Sequence, residues 1–188
     1  MLQQFGKGVQ AMKDHTALLI IDMQVGLLEG AYQSEQTLNT IRTLLDKAHA
    51  KQLPVLYVQH DGPAGDPLEP DTPGWQLHPA IAPAPEEPVI RKQACDAFYE
   101  TELEAELQKR HITHLIVTGG QTEYCVDSTT RSATAHHYDV TLVSDAHTTS
   151  DSSSFSAEQI IRHHNELLNW FQTGEYRVRV VPAHEIQF

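Results

Sequence analysis

The sequence predicts a doubly wound α/β domain: three layers, α/β/α, around a mostly parallel sheet of about six strands. Two observations carry this. Short, almost wholly apolar runs alternate along the chain with segments of helical periodicity, and strands without polar alternation belong to parallel sheets covered on both faces. The length, 188 residues, is that of one domain of roughly 100–200 residues, so residues 1–188 are read as one.

Each element follows in order. TALLIID at 16–22 is a first strand ending in a carboxylate. Residues 34–51 place Leu38, Ile41, Leu45 and Ala48 at helical spacing, with Ser34 as the expected N-cap. LPVLYVQH at 53–60 is a strand with Pro54 near its start, where a missing N–H is tolerated. VIRK at 89–92 is a shorter apolar run, and 99–110 reads as a helix. THLIVTGG at 113–120 is a buried strand running into glycines, followed by a helix over 123–137 and a strand at 139–147, DVTLVSDAH. AEQIIRHHNELLNWF at 157–171 is an amphipathic helix capped by the polar linker SDSSSFS at 150–156, and YRVRVV at 176–181 is the last strand.

One segment breaks the alternation. Residues 61–88 hold eight of the ten prolines. A loop this long in a compact domain is usually functional. It is expected to cap or rim a site, with Trp75 as its apolar contributor.

Composition excludes several classes. The net charge of −12 would repel a phosphate backbone, so no nucleic-acid partner is expected. No apolar run reaches the roughly 20 residues that span a bilayer. The first residues, MLQQFGKGVQAMKDH, lack the apolar stretch of a signal peptide. Two cysteines, Cys95 and Cys125, are too few for a disulfide framework. A cytoplasmic location is the expectation.

Three residues then stand out. Asp22 ends the first strand, Lys92 ends VIRK, and Cys125 follows the glycine-rich turn after THLIVTGG. A parallel sheet brings strand carboxyl ends to one edge, where such folds collect reactive groups. Together these residue types suit thiol nucleophilic catalysis. A thiol attacks as thiolate, a nearby ammonium favours that anion, and a carboxylate can carry the proton. The turn Thr118-Gly119-Gly120-Gln121-Thr122 can aim backbone N–H groups at an oxyanion. Singly, each has a plainer role: buried cysteines are mostly packing, Asp after a strand is often a turn residue, and a lone lysine is usually solvated.

At these residues the chain resembles the isochorismatase-like cysteine hydrolases, from about Thr16 to Val181. LLIIDMQ at 18–24, VIRKQACDAFYETELEAEL at 89–107 and VTGGQTEYCVDSTTRSA at 117–133 carry the resemblance, the last most specifically. It implies an isochorismatase-like, Rossmann-like fold, with Cys125 as nucleophile, Asp22 as general base and acid, and Lys92 as supporting cation. It also implies a cis peptide between Gly120 and Gln121, aiming the N–H groups of Gln121 and Cys125 at an oxyanion. The implied reaction cleaves a C–N bond of a small amide through a thioester, without cofactor, in a homodimer or homotetramer. Vinyl-ether cleavage by a true isochorismatase, a non-catalytic binding or assembly module, and a thiol redox sensor pairing Cys125 with Cys95 stay open as alternatives.

The chain departs from the family at Val25-Gly26-Leu27 and at Asp96-Ala97, which reshapes the expected pocket. Leu27, His60, Trp75, Phe98 and Tyr124 are the candidate pocket residues. Zinc, as in the nicotinamidase branch, is not expected. His60-Asp61 has the wrong order for an Asp-x-His pair, and His78 alone does not complete a tetrahedral set. The helical pairs His136-His137 and His163-His164 point about 100° apart. Cys95 is given a packing or rim role.

Overall fold

The computed structural model of the chain describes residues 15–188. The leader reading above falls on residues 1–15 and so lies, His15 apart, outside the described residues. Among the described residues no helix is long and apolar enough to cross a membrane.

The strands are β1 (Thr16–Ile21), β2 (Val55–His60), β3 (Val89–Lys92), β4 (His114–Gly120), β5 (Asp139–Thr148), β6 (Gln172–Thr173) and β7 (Tyr176–Val181). They form one seven-stranded sheet in the order β3-β2-β1-β4-β5-β7-β6. Every pairing is parallel except β6 with β7. The expectation was about six strands. The added one is the two-residue β6, which turns back through Gly174 (φ +63°) onto β7.

The helices are α1 (Val25–Leu28), α2 (Ser34–Ala50), α3 (Leu103–Lys109), α4 (Asp127–Ala135) and α5 (Ala157–Leu168). Alternate residues of each strand face opposite layers. Ala17, Leu19 and Ile21 of β1 pack with Leu103 and Leu107 of α3, Ala133 of α4 and Leu168 of α5. Leu18 and Ile20 pack instead with Leu38, Ile41, Leu44 and Leu45 of α2. Helices therefore cover both faces.

Several boundaries move for local reasons. Ser34 is the first helical residue of α2 rather than its cap; Gln33, in left-handed conformation at φ +48°, holds the cap position without a side-chain bond. The helix expected over 99–110 begins only at Leu103, because Glu100 sits at φ +53° and breaks the repeat. The one expected over 123–137 is a π-helical turn, Thr122–Val126, running into α4, and His137 at φ +69° ends it. Ser156 caps α5 in a reciprocal box with Gln159.

The first described strand, β1, lies in the interior of the sheet; the chain then builds β2 and β3 to one side and returns to β4 on the other. That reversal between β1 and β4 is a topological switch point, where doubly wound folds open a crevice at the strand ends. The two strands come very close here. Gly119 pairs with Ile21 at φ +128°, and a Cβ at that position would lie 2.0 Å from the Ile21 carbonyl oxygen. Only glycine fits.

The proline-rich loop is stitched to the segment after β1. Val25 and Gly26 donate backbone N–H groups to Gln76 O (2.9 Å) and Gly74 O (2.7 Å), and His78 N–H donates to Met23 O (2.9 Å).

Candidate active site

The switch point brings Asp22, Lys92 and Cys125 together. Asp22 follows β1 at φ +51°, a conformation uncommon outside glycine but better tolerated by aspartate. Its N–H donates to Val58 O at 3.0 Å, which anchors it to the end of β2. Lys92 ends β3 and is 2% exposed; Asp22 is fully buried. Cys125 stands in the π-helical turn and keeps 9% exposure.

The Lys92 ammonium is the hub. Nζ lies 2.6 Å from Asp22 Oδ2, 3.2 Å from Cys125 Sγ, 2.9 Å from Ala94 O and 3.1 Å from His60 Nδ1. Burial pushes the Asp22 carboxyl up, and the neighbouring Lys92 charge only partly offsets this. Burial alone would lower the Lys92 pKa, but the Asp22 and Cys125 charges beside it outweigh that and raise it. The Cys125 thiol is raised, first by burial and then by the Asp22 charge, against the pull of Lys92. Lysine is therefore charged, the thiol holds its proton at rest, and the carboxylate is a stronger base than in water. The three form one coupled proton-sharing group.

The peptide bond between Gly120 and Gln121 is cis. It opens the π-helical turn, whose first residue, Thr122, is held by a buried relay. Thr122 Oγ1 and His147 Nδ1 are 2.9 Å apart, and His147 Nε2 and Asn165 Oδ1 are also 2.9 Å apart. The Asn165 amide donates in turn to Ser144 O at 3.1 Å. Because Asn165 Oδ1 can only accept, His147 carries its proton on Nε2, and Nδ1 accepts from the Thr122 hydroxyl. The relay thus ties the turn that carries Cys125 to α5.

The candidate pocket residues divide. Leu27, half-buried on α1, packs over Gly120: its Cδ2 lies 2.7 Å from where a Cβ would stand there. His60 joins the hub. Trp75 sits on the rim, its indole N–H donating to Asp61 Oδ1 (2.9 Å) with the Arg91 guanidinium 4.3 Å from its ring centre. Arg91 also pairs with Asp61 at 2.6 Å. A cavity of about 320 Å³ lined by Asp61, Arg91, Lys92, Gln93, Ala94, Tyr99 and Glu100 opens beside this rim. Phe98 instead lies in the core, stacked on His136 at 4.6 Å, so its ring is engaged in packing. Tyr124 is 54% exposed. It lines a separate groove of about 700 Å³ with Phe155 and α5.

The cation question has a geometric answer. Asp22, His60 and Cys125 offer ligand-type atoms within 4.8 Å of one another. All three converge on Lys92 Nζ, so the lysine's own ammonium takes the place a divalent ion would need. Asp61 is spent on Trp75 and Arg91, and His78 Nδ1 caps the 3-10 turn Pro79–Ile81. Cys95 is exposed, and its carbonyl accepts from Thr129.

Sequence reading missed the clamp made by Gln24 and the relay through His147. Gln24 is fully buried, and its side-chain N–H groups donate to His60 O and Trp75 O. The available signals were a polar residue two positions after Asp22 and a histidine ending an apolar strand.

Comparison with known proteins shows the family and the fold. Residues 16–180 match the isochorismatase domain family. A streptothricin hydrolase of Streptomyces noursei is 37% identical over 75% of this chain and 57% of its own. The chain thus spans about half the length of the streptothricin hydrolases it matches. The isochorismatase family protein YecD of Escherichia coli O157:H7 is 31% identical over 88% of this chain and 92% of its own. The crystal structure of an isochorismatase from Pseudomonas putida KT2440 superimposes with a TM-score of 0.84 at 29% identity, covering 93% of this chain and 91% of that one.

Proposed function

The chain belongs to the isochorismatase family, and from that premise we propose that it is a cysteine hydrolase that cleaves the C–N bond of a small amide through a Cys125 thioester. The observation that carries this is the buried bridge in which Lys92 Nζ lies 2.6 Å from Asp22 Oδ2 and 3.2 Å from Cys125 Sγ. It joins a nucleophile, a base and a cation away from water, as acyl transfer requires.

In this reading Asp22 takes the Cys125 proton as sulfur attacks the carbonyl carbon. The N–H groups of Gln121 and Cys125 receive the oxyanion. The C–N bond breaks as Asp22 returns the proton to the departing nitrogen, leaving an S-acyl enzyme. Water then attacks the thioester carbon, giving a proton to Asp22. The C–S bond breaks, the acid leaves, and the proton passes back to sulfur. The raised pKa of the buried Asp22 suits both directions of transfer. Trp75, Arg91 and Asp61 would frame the entrance, and Leu27 would form the wall over the oxyanion turn.

The relative named for streptothricin hydrolysis supports an amide rather than a vinyl ether. A homodimer or homotetramer is part of the same proposal. Its support is the run of exposed apolar side chains on and beside α5: Phe155 at 60%, Leu167 at 43% and Trp170 at 85% exposure.

The test is ammonia release from a panel of small primary amides, comparing the parent with Cys125→Ala. Release that falls by about 10³-fold or more in the variant is the expected result, since a lost nucleophile removes the covalent route. Pyruvate release from isochorismate that persists in Cys125→Ala would replace this reading with vinyl-ether hydrolysis.

A further inference from the structure

The turn that carries Cys125 closes on its own backbone. The Gln121 carbonyl accepts from the N–H groups of Tyr124 at 3.2 Å and Val126 at 3.1 Å, which stand on either side of Cys125. The Thr122 carbonyl accepts from the Asp127 N–H. Side chains then tie the turn outward at both ends, Cys125 to Lys92 of β3 and Thr122 to His147 of β5. The first tie serves the sulfur. The second touches no reacting atom, yet Thr122 is fully buried and His147 is 2% exposed.

We propose that His147 is a positioning residue for the oxyanion site: through Thr122 it holds the N–H groups of Gln121 and Cys125 where a tetrahedral intermediate places its charge. This rests on the cysteine-hydrolase reading and adds a role to it.

The proton order of the relay is fixed. The Asn165 amide donates to Ser144 O, and turning it over would set Asn165 Oδ1 against that carbonyl. Oδ1 therefore faces His147 and takes the Nε2 proton, which leaves Nδ1 as an acceptor for the Thr122 hydroxyl. Burial, with His164 acting the same way and Asn165 and Asp145 against it, lowers the ring pKa to about 4, so the order holds at neutral pH. A hydroxyl held by so fixed an acceptor locks the Thr122 rotamer and restrains the peptide that joins Gln121 to Thr122. The carbonyl of that peptide is the one that receives the Tyr124 and Val126 N–H groups. The restraint thus reaches both residues that flank Cys125.

The chemistry explains why such restraint is useful. Oxyanion donors act because they are in place before charge develops. A shift of about 1 Å in such a group can cost about a hundredfold in rate. The acidity of the thiol is set elsewhere, by burial, Asp22 and Lys92. Loss of the relay should therefore slow a step that makes an oxyanion at Cys125 and spare one that does not.

The test uses a Cys95→Ser background, so that Cys125 is the one thiol left. p-Nitrophenyl acetate acylates it: the C–S bond forms through a tetrahedral oxyanion, the thiol proton passes to Asp22, and nitrophenolate leaves. Iodoacetamide alkylates it by direct displacement of iodide, with no oxyanion. Acylation is read as first-turnover nitrophenolate release less that of Cys125→Ala, and alkylation by mass spectrometry, both at pH 7. Their ratio sets aside the nucleophilicity of the sulfur, which both share. Thr122→Val keeps the shape and removes the hydroxyl; its acylation is expected to fall about tenfold with alkylation within about twofold. His147→Phe, which keeps a ring and loses the acceptor, should match it, and Thr122→Ser should track the parent. A ratio unchanged in Thr122→Val, both rates falling together, or Thr122→Ser matching Thr122→Val overturns the proposal. If neither Thr122→Val nor His147→Phe folds, Asn165→Ala, which frees the ring from the half-buried end of the relay, decides: the ratio should fall about threefold, and an unchanged ratio overturns the proposal. An amide that is turned over should show kcat about tenfold lower in Thr122→Val with KM within about twofold. Both reagents attack a thiol whatever the natural substrate, so a failed amide panel would sink the hydrolase reading while leaving this ratio readable.

Discussion

Protonating the buried His147 should destabilise the fold around the turn that carries Cys125, and the cost can be worked from its surroundings. His147 is 2% exposed and bonded on both ring nitrogens. Burial, the largest cause, lowers its pKa from 6.5 to about 4. At ~1.4 kcal/mol for each tenfold change, that gap is worth about 3 kcal/mol of folding stability. The sign follows from linkage. Above pH 6.5 the ring is neutral in both states and the full stability is present. Between 6.5 and about 4 the unfolded chain takes the proton while the folded chain resists, so stability falls. Below that both are charged and the loss is complete. A charged imidazole would also reverse the Thr122 bond, Nδ1–H donating to the hydroxyl oxygen. The assay is urea unfolding at pH 7, 6, 5 and 4 for the parent and His147→Gln. Other titrating groups, among them His60 and His114, are common to both chains and cancel in the difference. The parent should lose about 3 kcal/mol more than the variant over that range. Parallel curves would refute the reasoning, as would an NMR titration placing the His147 ring near 6.5 in the folded protein.

Two further outcomes follow from the site. Lys92→Met leaves the Asp22 carboxylate buried without its cation and should cost about 3–5 kcal/mol at pH 8 by urea unfolding. The loss should shrink on acidification, because the Asp22 pKa, already raised, rises further and the folded state then favours the neutral acid. A deficit equal at pH 5 and pH 8 would contradict this. Gly119→Ala places a Cβ against the Ile21 carbonyl at a left-handed φ and should destabilise by about 3 kcal/mol or more, measured as a lower thermal midpoint. A midpoint within a degree of the parent's would show that the β1–β4 approach can open.

Much of this was legible in the one-dimensional pattern, for a physical reason. Continuous apolar runs such as LLII and LIV mean burial on both faces, so layering and strand direction follow from composition alone. Reactive residues at strand ends follow from that direction. Asp22, Lys92 and Cys125 could therefore be grouped although 70 and 33 positions separate them successively along the chain. Local conformations were less legible. Left-handed Glu100 and His137 trimmed or ended helices that propensity extended, and Phe98, an aromatic near Lys92, turned inward to stack on His136.

By itself, then, the sequence determined the sheet, the residue types at its carboxyl edge and the kind of chemistry they share, because each depends on periodicity and side-chain identity. Only the tertiary structure decided which groups surround the Lys92 ammonium, which nitrogen of His147 is bare, and that the lysine's ammonium stands among Asp22, His60 and Cys125. Those depend on distances of about 3 Å between residues brought together from different strands, and hydrogen bonds weaken steeply once that geometry is lost.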